Sequence, residues 1–222
     1  NWTVTPTTLT SLRLNGSTYA HAYTSGGTVE PRDTNWDDVG YSFSKPAIVN
    51  SRAGWIVIFG NGYNSSTGIA KLFILDAMTG TLKKVINTEV GSCNGLSSPT
   101  PTDVNFDAKV DYVYAGDLHG NMWKFDLTDP DPDNWKPAFY DGDIPKALFQ
   151  ATAHDRATAS PCGPTGTAYT QAITTRPAVM YHCRYPKKPG YMVAFGTGRY
   201  LGDDDLDPLQ FRTETIYGIW DF

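Results

Sequence analysis

Three stretches of this sequence run through the same parts in the same order, and that order limits what the chain can build. Each begins with a Ser/Thr and a proline: Ser44-Lys45-Pro46-Ala47-Ile48-Val49, Ser97-Ser98-Pro99-Thr100-Pro101-Thr102 and Thr175-Arg176-Pro177-Ala178-Val179. Each continues into an apolar run ending in Gly: Trp55-Ile56-Val57-Ile58-Phe59-Gly60, Tyr112-Val113-Tyr114-Ala115-Gly116 and Tyr191-Met192-Val193-Ala194-Phe195-Gly196. Each then carries a run ending in Asp: Lys71-Leu72-Phe73-Ile74-Leu75-Asp76, Asn121-Met122-Trp123-Lys124-Phe125-Asp126 and Thr215-Ile216-Tyr217-Gly218-Ile219-Trp220-Asp221. The units start at 44, 97 and 175, and insertions at 127–172 and 199–213 stretch the period. Short runs rich in aromatic and β-branched residues, bounded by Gly, Pro and Asp, are strands. Proline in the lead-in suits the first residue of a strand, where no ladder donor is lost. Runs of this length that are apolar throughout suit inner strands buried on both faces.

Small antiparallel sheets repeated along a chain are β-propeller blades. Leu75-Asp76-Ala77-Met78-Thr79-Gly80-Thr81-Leu82 is a blade ending of the quinoprotein-like kind, with a turn leading to an outer strand. The expected fold is all-β: a partial, modified β-propeller of four-stranded antiparallel blades. Three blades are fewer than the roughly four to eight of a closed ring. The chain also stops at Trp220-Asp221-Phe222, inside a strand pattern. Residues 1–222 are therefore expected to be part of one larger propeller domain, with 1–40 poorly readable and 41–222 forming about three blades with inserted loops. Aromatics at 13%, with 21 Gly and 15 Pro against 18% charged residues, suit short strands and turns rather than helices. A net charge of -5 speaks against nucleic acid or an anionic membrane as partner. No apolar run approaches the roughly 20 residues of a membrane-spanning helix. No signal peptide is present, as expected of a mature secreted chain or a fragment.

The strongest chemical signal is Asp103-Val104-Asn105-Phe106-Asp107-Ala108-Lys109-Val110-Asp111. Side-chain oxygens stand at loop positions 1, 3, 5 and 9, on Asp103, Asn105, Asp107 and Asp111. Hard divalent cations such as Ca2+ take six to eight oxygen ligands, and alternate oxygens in a short loop wrap one ion. Lys109 would offer its backbone carbonyl at position 7, and Asp111 would close the site. Position 6, where such loops favour Gly for a sharp turn, is Ala108. The alternative is an Asp-rich turn stabilised by Asx hydrogen bonds that binds nothing. Strand signals on both sides mean that the loop joins two strands.

The remaining signals are weaker. Cys93, Cys162 and Cys183 have no CxxC spacing, so zinc is not expected. Cys162 and Cys183 flank one loop-rich region and are expected to pair, leaving Cys93 over. His21, His119, His154 and His182 are scattered without a metal motif, and no Gly-x-Ser-x-Gly elbow occurs. Asp203-Asp204-Asp205-Leu206-Asp207 is expected to be a solvated loop, because adjacent like charges cannot all face one ion. Trp135, after a Pro-rich loop, is expected to pack back on its blade, with an exposed partner anchor as the alternative. Gly196-Thr197-Gly198-Arg199-Tyr200 has no helix to follow it and is expected to be a turn. An oxidoreductase would need a quinone platform, for which Trp55, Trp123, Arg176 and Arg199 are the raw material; these are expected instead to be blade core and rim charges, and no catalysis is expected.

With these residues laid out, the chain resembles the C-terminal propeller domain of the PilC/PilY family of type IV pilus proteins. The resemblance rests on Gly40-Tyr41-Ser42-Phe43-Ser44-Lys45-Pro46, Val57-Ile58-Phe59-Gly60-Asn61-Gly62-Tyr63-Asn64-Ser65, Asn94-Gly95-Leu96-Ser97-Ser98-Pro99, Asp111-Tyr112-Val113-Tyr114-Ala115-Gly116-Asp117-Leu118, Trp123-Lys124-Phe125-Asp126-Leu127 and Phe195-Gly196-Thr197-Gly198-Arg199-Tyr200-Leu201. It covers about residues 40–222. It implies a modified propeller with Ca2+ ligands at Asp103, Asn105, Asp107, Lys109 (backbone carbonyl) and Asp111. It also implies pilus assembly, control of extension and retraction, twitching motility, adhesion and virulence. The implied partners are minor pilins and other pilus components, with host or surface receptors met through regions outside this chain. The implied location is the cell surface at the pilus tip, or the periplasm and outer membrane.

Overall fold

A computed structural model describes residues 38–153, 169–181, 190–206 and 213–222, and the strands at 11–14, 18–21, 24–25 and 28–29. The chain divides into two units, 1–37 and 38–222. In the first, β1 (Ser11–Leu14) pairs antiparallel with β2 (Thr18–His21), and β3 (Thr24–Ser25) with β4 (Thr28–Val29).

The second unit carries the repeat. Sheet I runs β5 (Ala47–Ser51), β6 (Gly54–Gly60), β7 (Lys71–Asp76), β8 (Leu82–Asn87), each antiparallel to the next. Sheet II runs β9 (Thr100–Thr102), β10 (Tyr112–Gly116), β11 (Asn121–Asp126), β12 (Lys136–Pro137). Its outer edge is shared: β12 pairs the Phe125–Asp126 end of β11, and β15 (Phe149–Gln150) pairs the Asn121–Met122 end. The hairpin β13 (Phe139–Asp141) and β14 (Ile144–Lys146) fills the chain between them. A further hairpin pairs β16 (Thr152–Ala153) with β17 (Tyr169–Thr170). Sheet III runs β18 (Ala178–Tyr181), β19 (Tyr191–Gly196), β20 (Ile216–Asp221). The repeat leads one to expect four-stranded blades; sheet I has four strands, sheet II five, and sheet III three among the described residues.

Alternation along each strand decides which sheet it faces. In sheet II, Val113, Ala115, Trp123 and Phe125 join Ile56, Ile58, Leu72 and Ile74 of sheet I in one buried cluster. Tyr114 and Met122, pointing the other way, join Val193 and Phe195 of sheet III in a second. Burial on both faces therefore holds for the inner strands of sheet II. In sheet I it holds for the middle of β7, where Leu72, Phe73 and Ile74 are all buried, but not for the start of β6, where Trp55 is exposed, nor for the start of β20 in sheet III, where Ile216 is exposed.

The repeat persists in the hydrogen bonds. The residue after each strand-ending Gly exchanges two bonds with the start of the third strand. Asn61 donates its N–H to Lys71 O and accepts Lys71 N–H on Oδ1. Asp117 does the same with Asn121, and Thr197 with Thr215 through Oγ1. Each strand-ending Gly also bonds the Ser/Thr of its own lead-in: Gly60 N–H to Ser44 Oγ, Ser97 N–H to Gly116 O, and Thr175 Oγ1 to Gly196 O. Glycine is required where the next lead-in presses close. A Cβ on Gly60 would lie 2.2 Å from Ser97 O, and one on Gly116 would lie 2.2 Å from Ile173 Cγ2.

The cysteine expectation is corrected. Cys93 is disulfide-bonded. Cys93 is therefore not left over, contrary to what the sequence led one to expect. Cys162 and Cys183 themselves lie outside the described residues.

Candidate metal centre

The 103–111 loop leaves β9 at Thr102 and returns into β10 at Tyr112. Its coil is set by two residues with left-handed backbone, Phe106 (φ 62) and Ala108 (φ 63). Ala108 thus adopts the conformation that Gly would supply, at a cost of about 1 kcal/mol for a residue with a Cβ. The Asp103 carboxylate offsets this by accepting Phe106 N–H at 2.7 Å and Ala108 N–H at 2.8 Å. Asn105 Oδ1 accepts Asp107 N–H at 2.8 Å, and Asp107 Oδ1 accepts Lys109 N–H at 2.9 Å. Asp111 Oδ2 accepts Val104 N–H at 2.9 Å and closes the loop.

Asp103, Asn105, Asp107, Lys109 and Asp111 therefore occupy one loop, as the spacing requires. Asn105 and Asp107 are exposed, Asp103 and Lys109 half-buried, and Asp111 buried. Sequence reasoning missed Arg52, from the β5–β6 turn. Its guanidinium lies 2.8 Å from Asp111 Oδ1, 3.3 Å from Asp107 Oδ2 and 3.4 Å from Val110 O. Nothing local in the sequence marks it, because the partners are 55 and more residues apart.

Three carboxylates, an amide and a main-chain carbonyl are the hard oxygen donors that Ca2+ takes. A cationic group already rests on two of the carboxylates. The loop therefore holds donors of the chemical type Ca2+ takes, with Arg52 resting on two of them. Among the described residues no three acidic, His or Cys side chains converge as a metal group. Asp107 and Asp111 face the Arg52 guanidinium instead.

The loop also touches both flanking sheets. Val110 N–H donates to Asn50 O of sheet I at 2.8 Å. On the other side the exposed Phe106 ring lies 6.0 Å from the Tyr181 ring. Tyr191 Oη is 3.2 Å from Val104 O and 3.2 Å from Tyr181 Oη. Burial, then the hydrogen bond with Tyr181, pushes the Tyr191 phenol upward, so it stays a neutral donor. Nearby, Asp221 Oδ2 of β20 takes both Tyr114 Oη–H (2.5 Å) and the Lys124 ammonium (2.7 Å), tying sheet III to sheet II.

The other candidates resolve as structure. Trp135 is buried and donates its indole N–H to Asp129 O at 2.8 Å. Trp123 is blade core, donating to Asp117, whereas Trp55 is exposed rather than core. Arg176 bonds Thr100 Oγ1, and Arg199 pairs with Asp205 at 2.7 Å. In the Asp203–Leu206 turn, Asp205 thus answers Arg199 and Leu201 N–H, while Asp207 lies outside the described residues. Gly198 N–H bonds Ala172 O, and among the described residues the only helical segment that follows it is the short 3-10 turn Asp203–Leu206. His119 Nε2 meets Ser92 O at 2.8 Å; His154 and His182 lie outside the described residues.

Three successive antiparallel sheets, each closed by the same polar clasp and the middle one carrying an acidic strand connection, define a β-propeller domain. A family model described as "PilY1 beta-propeller domain" matches residues 21–222, and the chain belongs to that family. The match begins upstream of residue 40, where the residue-level resemblance begins. Among relatives, the chain is 39% identical over 193 residues to "Type IV pilus biogenesis factor PilY1" of Pseudomonas aeruginosa (strain UCBPP-PA14), covering 83% of this chain and 16% of that protein. It is 38% identical over 205 residues to "Type IV pilus biogenesis factor PilY1 homolog" of Xylella fastidiosa, covering 86% of this chain and 13% of that protein. The crystal structure of the Pseudomonas aeruginosa PilY1 C-terminal domain superimposes with a TM-score of 0.69 at 34% identity, covering 85% of this chain and 38% of that one. The chain thus spans less than a fifth of the length of these curated relatives.

Proposed function

We propose that this chain works as part of the propeller domain of a type IV pilus biogenesis factor, and that its 103–111 loop takes Ca2+ through Asp103, Asn105, Asp107, the Lys109 carbonyl and Asp111. Residues 1–222 then form part of one propeller domain. Its role is that of a binding and assembly module, not an enzyme: the relatives are named as pilus biogenesis factors. The partners are minor pilins and other pilus components, at the pilus tip or in the periplasm and outer membrane. Extension and retraction, twitching motility and adhesion are the processes it supports.

The observation that carries this reading is the placement of the loop. Its donors lie on the strand connection of the middle sheet, and its backbone and side chains touch the sheets on either side. A divalent cation there supplies positive charge that draws the carboxylates inward. Arg52, Val110, Val104 and Tyr191 are then the groups through which ordering of the loop reaches sheets I and III.

The test is a calorimetric calcium titration of the chain beside Asp107→Ala. Saturable binding in the wild type and none in the variant is expected. The same substitution in the full-length protein is expected to impair piliation or twitching, with the chelated stability of the chain changed by less than about 0.5 kcal/mol, as for an exposed side chain. Equal calcium binding in both chains would remove the ion from this loop. Normal piliation of the full-length variant would remove its role in assembly.

A further inference from the structure

The group least expected from the sequence is Arg52, and its surroundings give it a definite task. It projects from a tight turn whose shape is fixed independently of the loop: Ser51 Oγ donates to Gly54 O at 2.7 Å and accepts Ala53 N–H at 3.1 Å. From this platform the guanidinium reaches three loop groups, Asp111 Oδ1, Asp107 Oδ2 and Val110 O. Among the described residues, the ion pairs made by the loop carboxylates are both with Arg52. A guanidinium stays charged throughout the accessible pH range and offers five donors, but only one positive charge. Three carboxylates therefore remain incompletely neutralised, and Asp107 and Asp111 both turn an oxygen to the same Arg52 Nη2, the place a competing cation would have to take over.

Resting on the loop's being a calcium site, we propose that Arg52 is its resident counter-cation and competes with the metal ion for Asp107 and Asp111. Without metal, Arg52 holds the two carboxylates and limits their repulsion. When a divalent cation takes the loop, the longer contact, to Asp107, is released first, because the ion and the guanidinium repel each other across the two carboxylates they share and the shorter contact to Asp111 is the stronger. The contact to Val110 O and the fixed 51–54 turn keep Arg52 at the rim. Arg52 thereby sets the calcium affinity and links occupancy of the loop to sheet I.

The experiment is a calorimetric calcium titration of the chain and of Arg52→Gln and Arg52→Lys. Its companion is thermal unfolding of each protein in chelator and in saturating calcium. Arg52→Gln is expected to bind calcium roughly tenfold more tightly, the effect of removing one unit charge close to the ion in a largely aqueous setting. Arg52→Lys keeps the charge and is expected within about threefold of wild type. Arg52→Gln is also expected to be less stable than wild type in chelator and to recover in calcium. A purely supporting arginine would not give that crossover. Unchanged or weaker binding in Arg52→Gln overturns the competition while leaving the loop a calcium site. No binding in the wild type overturns both. Should Arg52→Gln not fold, the guanidinium NMR signal of Arg52 in the wild type decides: the proposal requires it to shift on calcium saturation, and a signal that stays put refutes it.

Discussion

The two ends of strand β10 carry acidic groups of opposite character. At one end, after Gly116, Asp117 is fully buried. Its Oδ1 accepts His119 and Asn121 N–H, both at 2.9 Å. Its Oδ2 accepts Asn94 Nδ2 (3.0 Å), Asn121 Nδ2 (2.9 Å) and Trp123 Nε1 (2.8 Å). At the other end, before Tyr112, the 103–111 loop divides three carboxylates and an amide among its own backbone N–H groups and a single arginine. Five donors complete one carboxylate, and nothing further is needed to stabilise its charge. The loop keeps its shape from within yet carries charge that its neighbours do not cancel. A carboxylate wrapped by donors is architecture; a group of carboxylates that share one arginine is the feature on which the proposed cation site rests.

The largest effect should come from Asp117→Ala. It strips the acceptor from Asn94, Asn121 and Trp123 at once, in the interior between sheets. We expect a loss of roughly 3 kcal/mol or more, the result of several buried donors left unpaired. Denaturant unfolding should give the same loss with and without calcium; a calcium-dependent loss would mean that the two ends of β10 are not separate.

Asp111 tests the boundary between the two kinds. It is a loop carboxylate, yet it is buried, accepts Val104 N–H and holds Arg52. Asp111→Ala should cost about 2 kcal/mol even in chelator and should also abolish calcium binding, whereas Asp107→Ala does only the second. Equal stability of the two variants in chelator would show that burial does not distinguish them.

A third kind of aspartate should give the least change. Asp76, at the end of β7, accepts Thr79 N–H and Met78 N–H, both at 2.9 Å, and lies 3.1 Å from Lys83 Nζ. The Thr79 N–H first, then Lys83 and Met78, hold its carboxyl down to about 2 from the usual 3.8. Because the folded-state value is depressed, its contribution to stability is present above about pH 4. It fades as the pH falls through about 2. Urea unfolding between pH 4 and 2 should therefore fall less steeply in Asp76→Asn than in the wild type. Parallel curves would mean that the turn bonds do not differ between the folded and unfolded chain.

Much of this is legible along the chain. The Ser/Thr-x-Pro lead-ins, the Gly-ended strands and the Asp-ended strands sit where the repeat puts them, because strand, turn and cap preferences are local. The loop donors are legible for the same reason, since all five stand within nine residues. Arg52 is not, because its partners come from the next sheet. Asn61, Asp117 and Thr197 follow the strand-ending glycines in each unit. That shared position is a signal of the clasp, hidden by three different side chains offering the same acceptor. Cys93, expected to be left over, is in a disulfide, because nearness in sequence says little about which thiols folding brings together.

Local pattern alone sets the strands, their order and the oxygen donors of the loop, because each depends on residues a few positions apart. Three things emerge only in the folded molecule: which faces of sheet II are buried against which neighbour, which glycines have no room for a side chain, and which cation meets Asp107 and Asp111. Those depend on how successive sheets stack, and stacking brings together residues that no local pattern links.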